Sequence, residues 1–209
     1  MKKFFLVLFA VVTMATAESY PYTHDGFFMN IALGLGGQGF DLKGSSMVKG
    51  YKMNVKGDAD GGSFEIDWKF GGRILPFTIL HATFLEVGGL GDLRLKAEYR
   101  GQSATIKNGE VMCLYGVGAT YYIYPYNFFV SGSLGPVKFG FSDEDDGVVK
   151  SASEFGFGFQ LAAGKEWWIS ENWGLGASVA ITYGSVDEDD EDLEMSALAI
   201  SFMISATFN

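Results

Sequence analysis

Cysteine is almost absent: Cys113 stands alone in 209 residues, so no internal disulfide can hold the fold together. Histidine occurs twice and proline four times, which leaves little material for metal centres or proline-rich linkers. Basic charge is scarce as well. Fifteen Lys and Arg stand against 25 Asp and Glu, a net charge of −10, the wrong sign for a nucleic-acid partner. Beyond the first residues no apolar run approaches the roughly 18 residues that a membrane helix needs. Yet 48% of the chain is hydrophobic and 16% aromatic. A chain this apolar, without a disulfide framework or a helical span, needs another place to bury its surface.

The amino terminus reads as a secretory signal peptide over residues 1–17. Lys2 and Lys3 form a basic start, Phe4 to Val12 an apolar stretch too short to span a bilayer, and Ala15-Thr16-Ala17 a small-x-small cleavage pattern. The expected mature chain is a single domain over 18–209.

The most telling stretch is Phe64-Glu65-Ile66-Asp67-Trp68-Lys69-Phe70, followed by Arg73 and Ile74. Successive side chains of a strand point to opposite faces, so one face here is large and apolar and the other carries Glu65, Asp67, Lys69 and Arg73. Seven further segments alternate in related fashion: Gly26–Gly37, Ile79–Val87, Val111–Ile123, Phe128–Val137, Glu154–Trp168, Trp173–Gly184 and Ser196–Phe208. Their second faces are rich in Gly, Ala and Ser. The connections alternate too. Those near Pro76, Pro125-Tyr126-Asn127 and Ser170-Glu171-Asn172 are short, and the others are long and hydrophilic. Short turns on one side and long loops on the other mark an eight-stranded, antiparallel, up-and-down transmembrane β-barrel, with grease toward lipid and polar groups inside. A soluble ligand-binding barrel of the lipocalin type requires the reverse faces, and the Phe- and Ile-rich one is too apolar to meet water.

Several groups of residues acquire roles on this reading. Glu65, Asp67, Lys69, Arg73 and Glu166 are expected to form an inward polar network of structural filler, because eight strands enclose only a side-chain-filled lumen. Tyr121, Tyr122, Tyr124, Tyr126, Trp167, Trp168 and Trp173 lie beside short turns, where an aromatic girdle would sit at headgroup level. Lys43, Lys49, Lys52 and Lys56 in the first loop, with Arg94, Lys96, Arg100 and Lys107 in the third connection, are placed to meet lipopolysaccharide phosphates. The acidic runs 143–146 and 187–192, with Glu194, fit no calcium-loop spacing around Gly147 and read as solvated charge.

No catalytic, cofactor-binding or metal-ligating set emerges. His24 has no neighbouring constellation, and His81 is followed by Ala82 and Thr83 with no serine at hydrogen-bonding spacing on its face. Cofactors are expected to be none, and the protein is expected not to be an enzyme. The expected role is structural or one of surface interaction, and a narrow porin-like channel for small solutes is the first alternative. A lipid-modifying enzyme stands behind it.

The stretches Gly116-Val117-Gly118-Ala119-Thr120-Tyr121-Tyr122 with Asn127, and Gly164-Lys165-Glu166-Trp167-Trp168 followed by Asn172-Trp173-Gly174-Leu175-Gly176, resemble small bacterial outer-membrane barrels of the eight-stranded OmpA and OmpX type. The resemblance implies an outer-membrane location and outer-membrane lipids as surroundings. It also implies assistance from periplasmic chaperones and the barrel-assembly machinery. Phe202, Ile204 and Phe208 are similar to the terminal signal that this machinery reads, with Asn209 following where an aromatic residue usually ends the chain.

Overall fold

The computed structural model describes residues 22–48, 51–90, 93–99, 102–143, 149–188 and 192–209. The expected signal segment lies outside them. Ten strands follow in order: β1 (Phe27–Val48), β2 (Tyr51–Leu75), β3 (Thr78–Gly89), β4 (Leu93–Tyr99), β5 (Gln102–Ile123), β6 (Phe128–Asp143), β7 (Val149–Ala152), β8 (Gly156–Trp168), β9 (Trp173–Glu188) and β10 (Leu193–Phe208). All pairings are antiparallel, and the ring closes where β1 meets β10, Met29 opposite Phe208 through Gly44 opposite Leu193. Around the wall β2 follows β1, then β3, β5, β6, β8, β9 and β10. Two of the ten strands are continuations. β4 carries on the line of β3 between β2 and β5, and β7 that of β8 against β6. The wall is therefore a closed barrel of eight strands. Among the described residues every wall strand from the short turns up to the start of β8 is paired on both sides, which is the condition for crossing hydrocarbon with strands.

Each of the eight alternating segments lies in a different wall strand, and the three short connections are Pro76–Phe77, Tyr124–Asn127 and Ile169–Asn172. Asn127 turns its corner at φ 56, a left-handed geometry that asparagine tolerates. The long connections differ from expectation. Residues 38–63 and 88–110 are largely strand, with β1 and β2 paired without interruption from Phe27–Gly72 to Val48–Tyr51. The long loops are thus mostly tall hairpins that continue the wall.

Side-chain direction follows the expected faces across the lower part of the barrel. Leu33, Leu35, Phe64, Trp68, Phe84, Val117, Leu134, Leu161, Ile181, Ile200 and Phe202 are exposed on the outside, while Glu65, Asp67, Lys69, Gln160 and Thr182 are buried inside. Toward the end opposite the short turns this polarity reverses. Phe40 and Leu42 of β1, Ala59 of β2, Phe139 of β6, Val186 of β9 and Met195 of β10 point inward and are buried. Their sequence neighbours Asp41, Lys43, Asp58, Asp60, Asp187 and Glu194 are exposed. A uniformly polar lumen therefore has to be corrected. The interior is mainly polar toward the short turns, where Phe28 and Ile79 form a small apolar cluster with Tyr122, and apolar toward the tall hairpins. The cause is the surroundings of the outer face: where the wall passes through hydrocarbon apolar side chains belong outside, and where it stands in water the lumen is the only dry place.

Candidate functional site: the filled lumen

The polar half of the lumen is organised around Glu65 of β2. Its Oε1 accepts hydrogen bonds from Gln160 Nε2 at 2.8 Å and Thr182 Oγ1 at 3.2 Å. Gln160 Oε1 in turn accepts from Lys69 Nζ at 3.1 Å, and Lys69 forms an ion pair with Asp67. A second centre lies closer to the short turns. Glu166 Oε2 accepts from Thr207 Oγ1 at 2.7 Å and from the Tyr122 hydroxyl at 3.3 Å, and Thr207 accepts from Asn30 Nδ2 at 2.8 Å. Gly174 on the neighbouring β9 leaves room for Glu166, since a Cβ there would sit 2.4 Å from Oε1.

Among the described residues the buried carboxylates are Glu65, Asp67, Glu110 and Glu166, against the single buried ammonium of Lys69. Neutral donors (Gln160, Thr182, Thr207, Tyr122) thus do most of the compensation that a buried charge requires. Asp67 Oδ1 and Glu166 Oε1 have no protein partner. Both residues line a cavity of about 20 Å³, space on the scale of one water. The sequence reading brings Glu65, Asp67, Lys69 and Glu166 into the lumen, and the structure puts them there. Arg73 differs. It is exposed at the turn end of β2, where the register shifts before Leu75, and pairs with Asp25 of the segment leading into β1. The neutral partners were missed. The available signal was that Gln160, Thr182 and Thr207 interrupt the small-residue faces of β8, β9 and β10.

Above this network the lumen is closed by an apolar plug. Phe40 stacks edge-on against Phe139 at 5.3 Å and against Phe141 at 6.0 Å, over Leu114, Val137, Met112 and Val87. On β5, beyond Leu114 and Met112 toward the hairpin end, Glu110 accepts a hydrogen bond from Gln38 of β1.

His81 is buried in the wall of the polar half. Nδ1 lies 3.0 Å from Thr83 Oγ1 and Nε2 3.1 Å from Thr120 Oγ1, and these hydroxyls continue to Ser133 and Ser131 at 2.8 Å each. Serines do approach, then, but from β6 and through threonines. Gly118 on β5 provides the space, as a Cβ would stand 2.6 Å from His81 Cε1. With His81 2% exposed, no substrate can reach the ring.

His24, which the sequence left without neighbours, closes the turn end. Nδ1 is 3.0 Å from Asn209 Oδ1 and Nε2 3.1 Å from Asn127 Oδ1. The ring stacks on Tyr122 at 3.4 Å and lies against Trp168 at 4.9 Å. Backbone bonds from Tyr22 N to Glu171 O and from Asn209 N to Asn172 O bind both ends of the barrel chain to the same turn. Burial holds the His24 pKa below its usual 6.5, against the opposing hydrogen bonds to Asn209 and Asn127 and the charge of Asp25. A neutral imidazole donates from one nitrogen only, so one of the two carboxamides must present its NH2 to the ring.

The expected girdle divides. Tyr121, Tyr124, Tyr126, Trp167 and Trp173 are exposed on the outer surface near the short turns. Tyr122 is 3% exposed and belongs to the lumen, as its even position on β5 requires. Trp168 is half-covered, with Tyr22 and His24 packed on it. Of the terminal residues, Phe202 and Ile204 are exposed, and Phe208 packs edge-on against Trp173 at 5.4 Å. The acidic runs lie partly outside the described residues, as do Lys49 and Arg100. Lys43 and Lys56 are exposed and opposite one another on β1 and β2.

No protein-family model and no curated protein matches the sequence. Solved structures of similar shape include the outer membrane protein OprG from Pseudomonas aeruginosa, at 13% identity over 89% of this chain and 96% of that one, with a TM-score of 0.46. Neisserial surface protein A is similar at 13% identity, covering 86% and 99%, with a TM-score of 0.45. Ail of Yersinia pestis, solved with the heparin analogue sucrose octasulfate, is similar at 16% identity over 86% and 98%, with a TM-score of 0.39. These are likenesses of fold, and the strand pairing itself establishes the architecture: a closed eight-stranded antiparallel barrel.

Proposed function

We propose that the protein resides in a bacterial outer membrane as a closed barrel that does not conduct solutes, with a structural or surface-interaction role and no enzymatic activity. The observation that carries this reading is the continuous filling of the lumen. The Glu65–Gln160–Lys69 network occupies one half and the Phe40–Phe139 plug the other, with a cavity of only about 20 Å³ among the polar groups. An eight-stranded barrel has no width to spare for a permanent aqueous path beside such side chains. What the protein presents to the outside is the set of tall hairpins, with Lys43 and Lys56 among their exposed residues. Those lysines suit phosphates of neighbouring lipopolysaccharide. Export through the signal segment, periplasmic chaperones and the assembly machinery belong to the same reading.

Planar-bilayer recording tests it. The folded protein, verified by the different gel mobility of unheated and boiled samples, should leave the bilayer current at background. Steady single-channel steps from that sample would replace this reading with a narrow channel. Release of acyl chains from membrane lipids by the same preparation would replace it with an enzyme.

A further inference from the structure

Few charged side chains on the outer wall lie within the apolar belt, and one of them, Lys165 of β8, is seated beside a groove. In register, Lys165 stands between Phe128 of β6 and Ala177 of β9, and the next row toward the membrane centre holds Val130, Ala163 and Val179. Its ammonium lies 4.7 Å from the centre of the Phe128 ring and 5.9 Å from that of Trp167. Small side chains at Ala163 and Ala177, between Phe128 on one flank and Phe202 on the other, leave an open groove of about 620 Å³ on the lipid-facing surface. Lys165 is two residues closer to the membrane centre than Trp167, so the lysine stem lies along apolar surface and its charged head reaches back toward headgroup level. At that level the ammonium is within reach of a lipid phosphate.

We infer that Lys165 and this groove hold one anionic glycerophospholipid of the leaflet on the short-turn side. Its phosphate lies on the Lys165 ammonium, and one acyl chain lies along Ala177, Ala163 and Val179. The cation supplies headgroup preference and the groove supplies shape. The inference rests on the membrane location proposed above.

The test uses the full barrel refolded into bilayer nanodiscs of phosphatidylcholine and phosphatidylglycerol, then released into mild detergent and weighed by native mass spectrometry. The wild type should keep one phosphatidylglycerol. Lys165→Gln should lower its preference for phosphatidylglycerol over phosphatidylcholine about fivefold, the ratio expected for losing one lysine–anionic lipid contact. Lys165→Arg should retain it, and Lys138→Gln, toward the hairpin end of the neighbouring strand β6, should not change it. Ala177→Phe, which fills the groove and keeps the lysine, should lose both lipids. Equal retention by wild type and Lys165→Gln would overturn the inference. So would a wild type that keeps no lipid although its gel mobility reports a closed barrel, and in that case the membrane reading would stand. Failure to enter bilayers at all would overturn both.

Discussion

Replacing Leu161 with arginine tests the direction in which the wall faces. Leu161 is an outer residue of β8, 55% exposed, with Ile181 and Gly132 beside it in register. Six residues separate it from Trp167. At about 3.4 Å per residue and a strand tilt of about 40°, that is roughly 16 Å along the membrane normal. In an apolar band about 25 Å tall, Leu161 therefore lies well inside the hydrocarbon, past its middle. Arginine near the midplane of a barrel costs about 2–4 kcal/mol, a change of about 30- to 700-fold in the ratio of folded to unfolded protein. With a urea slope of about 2 kcal/mol/M, the unfolding midpoint should fall by about 1–2 M. Leu161→Ala separates lost packing from the charge. A side chain already half outside the protein should cost only about 1 kcal/mol when truncated. Tyr124→Arg, in a short turn and 74% exposed, should cost about 0–1 kcal/mol because it lies at the boundary. The assay is reversible urea unfolding in lipid vesicles, read by gel mobility and tryptophan emission. If Leu161→Arg and Tyr124→Arg cost the same, the outer face does not meet hydrocarbon and the depth argument fails.

Two further perturbations address the lumen and the closure of its turn end. Gln160→Leu removes the donor to Glu65 and the acceptor of Lys69, both buried charges, and should cost about 2–4 kcal/mol in the same titration. A change below about 0.5 kcal/mol would mean that water serves these charges equally well. His24 has a folded pKa below 6.5, so the segment binds more protons when it is detached than when it is docked. Docking of residues 22–26 should therefore be at full strength above pH 6.5 and weaken as the pH falls below that value toward the lower folded pKa. The protection of the Tyr22–Gly26 amides, meaning exchange relative to the intrinsic rate at each pH, should be lower at pH 5 than at pH 7.5, and His24→Gln should remove that difference. Wild-type protection that is the same at both pH values would refute the assignment.

How much of this was legible in the sequence varies with the physical rule involved. Alternation found the eight segments because register leaves no freedom: once Ile66 faces lipid, Glu65 and Asp67 must face inward. Parity would also have placed Tyr122 inside. It shares a phase with Thr120 and is opposite in phase to Tyr121, and reading the aromatic residues as a cluster overrode that rule. Arg73 keeps the register of Glu65, Asp67 and Lys69 but stands at the turn end of β2, where the lumen has run out, and there it pairs with Asp25. His24 was illegible for another reason. Its partners, Asn127 and Asn209, are 103 and 185 residues away, and only closure of the ring brings them together. The tall hairpins were hidden by their composition, because Gly- and Asp-rich stretches such as Gly57-Asp58-Ala59-Asp60-Gly61-Gly62 read as loop.

Those same stretches contain a signal of a different kind. In β1 the large apolar side chains, Phe28 apart, occupy odd positions from Phe27 to Leu35 and even positions at Phe40 and Leu42, with glycines at 36, 37 and 39 between the two phases. In β2 the phase changes across Gly61-Gly62, from Ala59 facing inward to Phe64 facing outward. β9 and β10 repeat the change, Tyr183 to Val186 and Leu198 back to Ala197 and Met195. No strand has turned over, for inward positions keep their parity along β1 and β2. What changes is the medium outside the wall. A side chain prefers the lumen when the exterior is water and the exterior when that is lipid, so the apolar phase must invert where the strand leaves the bilayer. The glycines occupy the crossing because neither face offers a strong preference there. The inversion locates the outer membrane boundary near Leu35–Phe40 on β1. It also explains why one barrel contains both a polar network and an apolar plug: the first lies within the bilayer, and the second is the ordinary hydrophobic core of the part that stands in water.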